Sequence, residues 1–167
     1  TDEWHRPTAC AGWSVHDVAL HVAGGLLAHV SRRRDGHGGN FSGFAPGDPS
    51  LDDDARLIHT LNAWNETWVL AARRISPALT IGIIDMAGAA LEAYFRTLDL
   101  DASGDAIGWA GPEPAPVWLD VAREYTEVWS HAAQIREATG RGLVDDPRLF
   151  APVMAAFAYG LPHALRH

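Results

Sequence analysis

Glu127 and His131 place a carboxylate and an imidazole four residues apart in the chain. The surrounding stretch is predicted to be helical, because Pro116 can occupy a first turn, Gly140 can end the helix, and neither glycine nor proline lies between them. At 3.6 residues per turn the two side chains then lie on the same helix face. Such a pair can supply two ligands to a metal ion, although the same spacing also gives weak ion pairs on solvated helices.

Composition and charge narrow the classes of protein that are compatible with this chain. Its 167 residues suit one domain, residues 1–167, with a sizeable core. The 21 acidic residues outnumber the 13 basic ones and give a net charge of −8, which argues against a nucleic-acid partner. We find no apolar run long enough to cross a bilayer, so no membrane partner is expected.

A single cysteine, Cys10, limits the chemistry further. No internal disulfide can form, and a zinc site built from several thiolates is excluded, so any metal must be held by His, Asp and Glu. We predict that Cys10 is a small packed residue and not a nucleophile. Nothing at the start of the sequence resembles a signal peptide, so a cytoplasmic location is expected.

Five helices are predicted from capping residues, helix breakers and apolar stripes. Their approximate ranges are 14–34, 50–75, 77–98, 117–139 and 146–160. The third is so poor in polar residues that we expect it to be deeply buried. The stretches 35–50 and 99–116 are predicted to be loops, and no segment alternates well enough to predict a strand. The fold class is therefore all-α, an up-down bundle of long antiparallel helices.

His21 is the best candidate for a third ligand, since helical bundles build metal sites from side chains on facing helices. It lies in the middle of the first helix, close to the apolar stripe. Gly24 and Gly25 follow on the same face, and glycines weaken a helix, so their presence indicates that something needs the space. That occupant could be a metal with an external ligand. Alternatively, the glycines let another helix approach closely and His21 is a core histidine.

Two blocks of sequence, 4–21 and 109–140, resemble a known family. The first begins at Trp4 and contains Arg-Pro-Thr-Ala-Cys-Ala-Gly-Trp-Ser-Val-His-Asp-Val-Ala-Leu-His, and the second contains Trp-Ala-Gly-Pro and Arg-Glu-Tyr-Thr-Glu. They are similar to the N-terminal domains of mycothiol-dependent maleylpyruvate isomerases, which are DinB-like metal-binding four-helix bundles. The resemblance implies that His21, Glu127 and His131 hold a divalent metal, usually zinc.

The chain departs from the family pattern in three places. Family members usually have a helix before the Trp4 segment, and many continue beyond residue 162 into a second domain, so residues 1–167 are expected to be either a trimmed piece of such a protein or a naturally short member. A bundle without its first helix would leave an apolar groove, which a second copy of the chain could fill to form a homodimer. Gln134 stands where many relatives have an aspartate, so one contact near the metal is expected to differ.

The implied site has chemical consequences, because three protein ligands leave a fourth coordination position open. The resemblance favours a low-molecular-weight thiol, mycothiol, activated as a thiolate to isomerise maleylpyruvate-like substrates or to be transferred to electrophiles. Two alternatives remain open: hydrolysis by an activated water molecule, and a non-catalytic helical binding module. Arg123, one turn before Glu127, is the candidate catalytic residue, either orienting that carboxylate or meeting an anionic substrate. It could equally form an ordinary salt bridge with Glu127.

The remaining histidines and aromatic residues receive ordinary structural interpretations. Histidines in loops or at the chain end are expected to be solvated: His5, His37, His163 and His167. His29 lies two turns beyond His21 and could line the same cavity, but we favour a surface or packing role. The large aromatic residues of the site blocks are predicted to be core rather than substrate platforms: Trp13, Trp109, Tyr125 and Trp129.

Overall fold

The computed structural model describes residues 2–37 and 53–165. Within them the chain forms five α-helices and one small sheet, which confirms the predicted all-α class. The helices are α1 (Val15–His29), α2 (Asp53–Ala72), α3 (Pro77–Phe95), α4 (Val117–Ala138) and α5 (Pro147–Ala164). A short 3₁₀ helix, Asp2–His5, precedes α1, and a π-helical turn, Val30–Arg34, continues it.

The helix starts follow the capping signals of the sequence. Ser14 and Asp17 form a complete capping box at the start of α1, with each side chain bonding the other's backbone N–H. Asp17 also accepts two hydrogen bonds from Arg73, just beyond the end of α2, so the same carboxylate ties two helices together. Ser76 caps α3 ahead of Pro77, as predicted. The predicted cap at Ser50 lies outside the described residues, as does most of the 35–50 stretch.

Helix α1 is the centre of the bundle, because it packs against α2, α3 and α4. Val18 and Leu20 are completely buried on it. Near its end Leu26 and Val30 form a core cluster with Ala87 and other apolar side chains of α3. Because α1 has three neighbouring helices, polar side chains beside its apolar stripe are buried as well. These are His16, Asp17, His21 and His29.

The prediction of deep burial for α3 is wrong. Only three of its residues are buried, whereas Leu79, Ile81 and Met86 keep 58%, 47% and 61% of their accessible surface. A helix with few polar residues is expected to be buried. Its composition does not show which of its faces packs against another part of this chain. The possible pairing of two copies through such surfaces stays a prediction.

The expectation that no apolar run is long enough to cross a bilayer is not met, because helix α3 is such a run. By length and composition alone its 19 residues, with a mean hydropathy of 1.4, satisfy the criteria for a membrane span. One such helix is weak evidence, because core helices of soluble proteins satisfy the same criteria.

The stretch predicted as a plain loop over 99–116 contains a small antiparallel sheet. Strand β1 (Ser103–Ala106) pairs with β2 (Pro114–Pro116), and a 3₁₀ turn lies between them. These strands are too short and too rich in Gly and Pro to show alternation in the sequence. The sheet leads directly into α4 and buries Ile107 and Ala115 against Leu119. At the other end of the chain, α5 continues through Pro162 to Ala164, beyond its predicted end.

Candidate metal centre

Two facing helices bring His21, Glu127 and His131 together. Glu127 Oε1 lies 3.1 Å from Nε2 of His21 on α1 and 3.1 Å from Nε2 of His131 on its own helix. One donor atom from each residue lies within 4.8 Å of the other two. The two imidazoles, with side chains only 10% and 12% exposed, pack edge to face, whereas Glu127 keeps 54% of its side-chain surface. The cluster is therefore enclosed on its histidine side and open at its carboxylate.

Gln134 orients the His131 ring from one turn further along α4. Its amide oxygen lies 2.7 Å from His131 Nδ1. Because an amide oxygen can only accept, Nδ1 carries the proton in this contact, and Nε2 is directed towards the cluster. The Cys10 thiol donates to the same amide oxygen at 3.2 Å. Gln134 thus supplies the contact that fixes the ring.

The electrostatics of the cluster follow from the shared carboxylate oxygen. Hydrogen bonds from His131 and His21 lower the pKa of Glu127 far below its usual value, although burial opposes this shift. Burial disfavours the charged form of His131, but hydrogen bonds to Glu127 and Gln134 and the charge of Glu127 outweigh it, so the pKa of His131 is raised. Burial raises the pKa of the Cys10 thiol, which agrees with the prediction that it is not a nucleophile.

Cavities lie on both sides of the cluster. A cavity of about 550 Å³ between α1 and α2, here called the α1–α2 cavity, has His21 in its wall. A second cavity of about 420 Å³ between α4 and α5, the α4–α5 cavity, is lined by Glu127 together with Arg123 and Ser130. One cavity therefore adjoins the candidate centre at His21 and the other adjoins it at Glu127, and each could hold a small molecule.

Gly24 and Gly25 have different surroundings. A Cβ atom at Gly24 would overlap the indole ring of Trp68, so this glycine lets α2 approach closely, as the second interpretation expects. Apart from the backbone of α1 itself and the two chain neighbours, no atom of the described residues would lie within 4 Å of a Cβ atom at Gly25, and Gly25 lines the α1–α2 cavity. In the part of the chain that the structure describes, Gly25 therefore borders open space.

The structure does not place Arg123 on Glu127. Its guanidinium instead bonds Asp120 at 2.9 Å and lies 2.7 Å from a carboxylate oxygen of Glu124. Neither the orienting role nor the predicted salt bridge with Glu127 is therefore observed. Arg123 still lines the α4–α5 cavity, with its charge already balanced by two acidic neighbours.

His29 is more deeply buried than the sequence indicated. It is only 2% exposed, and its Nδ1 lies 3.0 Å from Glu124 Oε1 while Nε2 lies 4.0 Å from Asp120 Oδ2. No described group is aligned for a hydrogen bond with either ring nitrogen. Burial would raise the pKa of Asp120, but Arg123 and Arg33 hold it below its usual value. The helical spacing of 120, 124, 127 and 131 could have revealed this second layer.

Aromatic side chains also border the centre. The Trp13 ring lies 5.1 Å from the His21 ring, and its indole N–H donates to Glu66 Oε2 at 2.6 Å. Trp13 is therefore a wall of the site and not a residue of the central core. Trp109 and Tyr125, also predicted to be core, keep 39% and 36% of their surface.

The donor set fits a divalent metal ion of the zinc type. In a tetrahedral site with bonds of about 2.0–2.1 Å, neighbouring donor atoms are about 3.3 Å apart. Both contacts of Glu127 Oε1 are close to that separation. Two imidazoles and one carboxylate are ligands that zinc binds with a fourth position left free. The geometry is compatible with His21, Glu127 and His131 as metal ligands, and this assignment stays a prediction.

Fold and site together define a helical-bundle protein with a candidate His–Glu–His centre between two of its helices. The family model described as the mycothiol maleylpyruvate isomerase N-terminal domain matches residues 1–136, and the chain belongs to this family. The resemblance identified in the sequence is thereby confirmed. No curated protein and no solved structure matches the chain.

Proposed function

We propose that the protein is a divalent-metal-dependent enzyme that activates a low-molecular-weight thiol, mycothiol, for reaction with an electrophile. The reaction is either isomerisation of a maleylpyruvate-like substrate or transfer of the thiol to the electrophile. The observation that supports this proposal most directly is the convergence of His21, Glu127 and His131 from facing helices. Membership of the family adds the link to mycothiol.

In this proposal His21, Glu127 and His131 hold the metal, with Zn²⁺ the best fit to two imidazoles and a carboxylate. When bound, the metal would lower the pKa of a thiol at the free position, so that the thiolate forms at neutral pH. Gln134 keeps His131 in the tautomer whose Nε2 is available as a ligand. The thiol proton would pass to solvent, and the thiolate would form a C–S bond with a carbon of the electrophile. In isomerisation the C=C π bond opens onto the conjugated carbonyl as an enolate, the resulting single bond rotates, and loss of the thiolate restores the double bond. In transfer the leaving group departs with the electron pair of its broken bond.

A non-catalytic helical module is the second candidate, and one observation favours it. Glu127 Oε1 lies 3.1 Å from Nε2 of both imidazoles, so these three side chains already form a polar network between α1 and α4 in the absence of a metal. Such a network can serve to fix helix pairing alone. The two candidates differ in what the cluster binds.

Metal analysis of the purified protein and of His131→Ala tests the proposal. We expect about one metal ion per chain in the unmodified protein and a large loss in His131→Ala, with the helical circular dichroism retained. His59→Ala, which changes an exposed histidine on α2, is the matched control and should keep the metal. Retention of one metal ion per chain by His131→Ala would remove the ligand assignment, and collapse of its fold would indicate a structural site.

Activity assays then separate the possible reactions. Maleylpyruvate and an electrophile such as 1-chloro-2,4-dinitrobenzene are each tested with and without mycothiol. Turnover that requires mycothiol supports the proposal, with the substrate that is consumed deciding between isomerase and transferase. Turnover without any thiol would indicate hydrolysis instead, and a metal-loaded protein that is inactive throughout would favour the non-catalytic module.

A further inference from the structure

We propose that the α1–α2 cavity is the electrophile subsite, and that it selects an uncharged, flat, apolar group over a carboxylate-bearing one. This inference rests on the proposed function, because it assigns the substrate class of the same centre. The cavity has His21 in its wall, so a molecule lying in it would contact one of the three candidate ligands. Its volume of about 550 Å³ suits a substituted aromatic ring.

Two tryptophans of α2 give the cavity flat apolar walls, Trp64 and Trp68. The indole N–H of Trp68 donates to the backbone carbonyl of Leu20 at 2.7 Å. The same ring fills the space above Gly24, which holds it in position. A rigid aromatic wall favours planar, apolar ligands, because stacking then requires no further ordering of the protein.

The α1 side of the cavity is open because α1 carries small residues there. Gly25 and Ala28 line this exposed edge, and among the described residues no atom outside the α1 backbone and the two chain neighbours lies within 4 Å of the position that a Gly25 Cβ would occupy. A larger side chain at residue 25 would therefore extend into the ligand space instead of displacing protein atoms. This feature makes the assignment testable without disturbing the core.

The charge of the lining argues against an anionic ligand. Among the described residues that line the cavity, His21 is the one titratable group, and it already faces Glu127. The other polar groups are neutral, among them Asn65 and Thr67, which can bond a nitro or carbonyl oxygen. A carboxylate buried here would have no cationic partner on these walls, which is costly. A dianion such as maleylpyruvate therefore fits this cavity poorly.

A neutral aromatic electrophile leads to thiol transfer and not to isomerisation. With a chloronitrobenzene, the thiolate attacks the ring carbon that carries chlorine, so a C–S bond forms and the C–Cl bond breaks. Chloride leaves with the electron pair, and the proton of the thiol is released to solvent. No oxidant or reductant is needed.

Binding of unreactive probes tests the cavity without the metal or the thiol. Equilibrium dialysis compares 1,3-dinitrobenzene with 3,5-dinitrobenzoate, which adds a carboxylate to the same ring. We expect the neutral ring to bind about tenfold more tightly or better. Gly25→Leu should weaken its binding about tenfold, whereas Gly82→Leu, at an exposed α3 glycine that likewise has no neighbour within 4 Å, should not. Equal binding of the two probes, or no effect of Gly25→Leu, would overturn the assignment.

A gain-of-function variant supplies a second test. Ala28→Arg places a cation at the exposed edge of the cavity and should shift the preference towards 3,5-dinitrobenzoate about tenfold. An unchanged preference would contradict the charge argument.

Turnover distinguishes failure of the subsite from failure of the proposed function. With mycothiol, 1-chloro-2,4-dinitrobenzene should be consumed faster than 4-chloro-3,5-dinitrobenzoate after each rate is divided by its uncatalysed rate. Selective binding without any turnover would preserve the subsite and remove the proposed enzyme activity. Turnover that favours the carboxylate-bearing substrate would remove the subsite and keep the activity, with the α4–α5 cavity as the alternative location.

Discussion

At the scale of single residues, the shared oxygen of Glu127 determines how the centre responds to pH and to substitution. One carboxylate oxygen contacts two imidazole nitrogens, and a third residue, Gln134, fixes the outer ring from behind. Each of these contacts favours a particular protonation state. Substitutions and pH changes at the cluster therefore have effects whose direction can be worked out in advance.

Gln134 tests whether orientation of the ring matters for metal affinity. Gln134→Leu removes the acceptor for His131 Nδ1–H, and we expect the zinc affinity to fall about 10- to 100-fold. Gln134→Glu keeps an acceptor and should retain affinity close to that of the unmodified protein. Competition with a chromogenic chelator measures both. Equal affinities of the Leu and Glu variants would show that the contact has no orienting role.

The metal-free protein should be most stable in a defined pH window. The lowered pKa of Glu127 adds stability that is present above its ordinary pKa of 4.5 and is lost as the pH falls towards its folded value. The raised pKa of His131 adds stability that is present below 6.5 and is lost as the pH rises through its folded value. Urea unfolding of the chelated protein is measured from pH 3 to 9. The Glu127–His131 pair should contribute most to the free energy of unfolding between about pH 4.5 and pH 6.5. His131→Ala should flatten both flanks, and an unchanged profile would contradict the coupling.

At the scale of elements, two polar layers join α1 and α4. His21 meets Glu127 in one layer, and His29 meets Glu124 in the other. His29 follows His21 by eight positions on α1, whereas its partner Glu124 precedes Glu127 on α4. The two helices therefore run antiparallel. The second layer is the more deeply buried one, with His29 at 2% and Glu124 at 12% exposure.

The buried His29–Glu124 contact lends itself to a double-mutant cycle. Removing His29 takes one buried partner from Glu124, which keeps its contact with Arg123, so His29→Leu should lower the free energy of unfolding by about 1–3 kcal/mol. The double variant His29→Leu/Glu124→Leu should recover part of that loss, because an apolar pair replaces an imperfectly bonded one. Chemical denaturation of the four proteins gives the coupling energy. Strictly additive effects would show that the two side chains do not interact.

The helices also show which features of the fold could be predicted from the sequence. Ser14 and Pro77 mark helix starts through local hydrogen bonding and fixed φ, so α1 and α3 were predicted within a few residues. Gly140, with φ of 70°, ends α4 as expected. The spacing of Asp120, Arg123 and Glu124 on α4 indicates a second set of polar side chains, but the burial of His29 against them could not be predicted, because it depends on where α1 lies. The same limit explains the wrong expectation for α3, whose exposed face is set by its neighbours.

At the scale of the whole molecule, the candidate ligands come from positions more than one hundred residues apart in the sequence. Spacing alone could relate Glu127 to His131, whereas for His21 a metal ligand and a core histidine were equal alternatives from the sequence, and the resemblance to the family favoured the ligand. A metal held by all three would join the first and fourth helices. Because an unfolded chain does not preserve this arrangement, metal binding should stabilise the folded state as a whole.

Zinc should therefore raise the unfolding temperature of the protein. At a free concentration one hundred times the dissociation constant, the expected stabilisation is about 2.7 kcal/mol. Differential scanning fluorimetry of chelated protein, with and without added zinc, measures the shift. His131→Ala should show no comparable shift, and His59→Ala should behave like the unmodified protein. Equal shifts in all three proteins would indicate that zinc binds elsewhere.

The two polar layers have a mechanical consequence for access to the centre. Sliding α1 along α4 by one turn, about 5.4 Å, would separate both histidines from their carboxylates at once. The register of these two helices is consequently locked at two points. Small molecules can instead reach His21 and Glu127 through the two cavities without any change in that register.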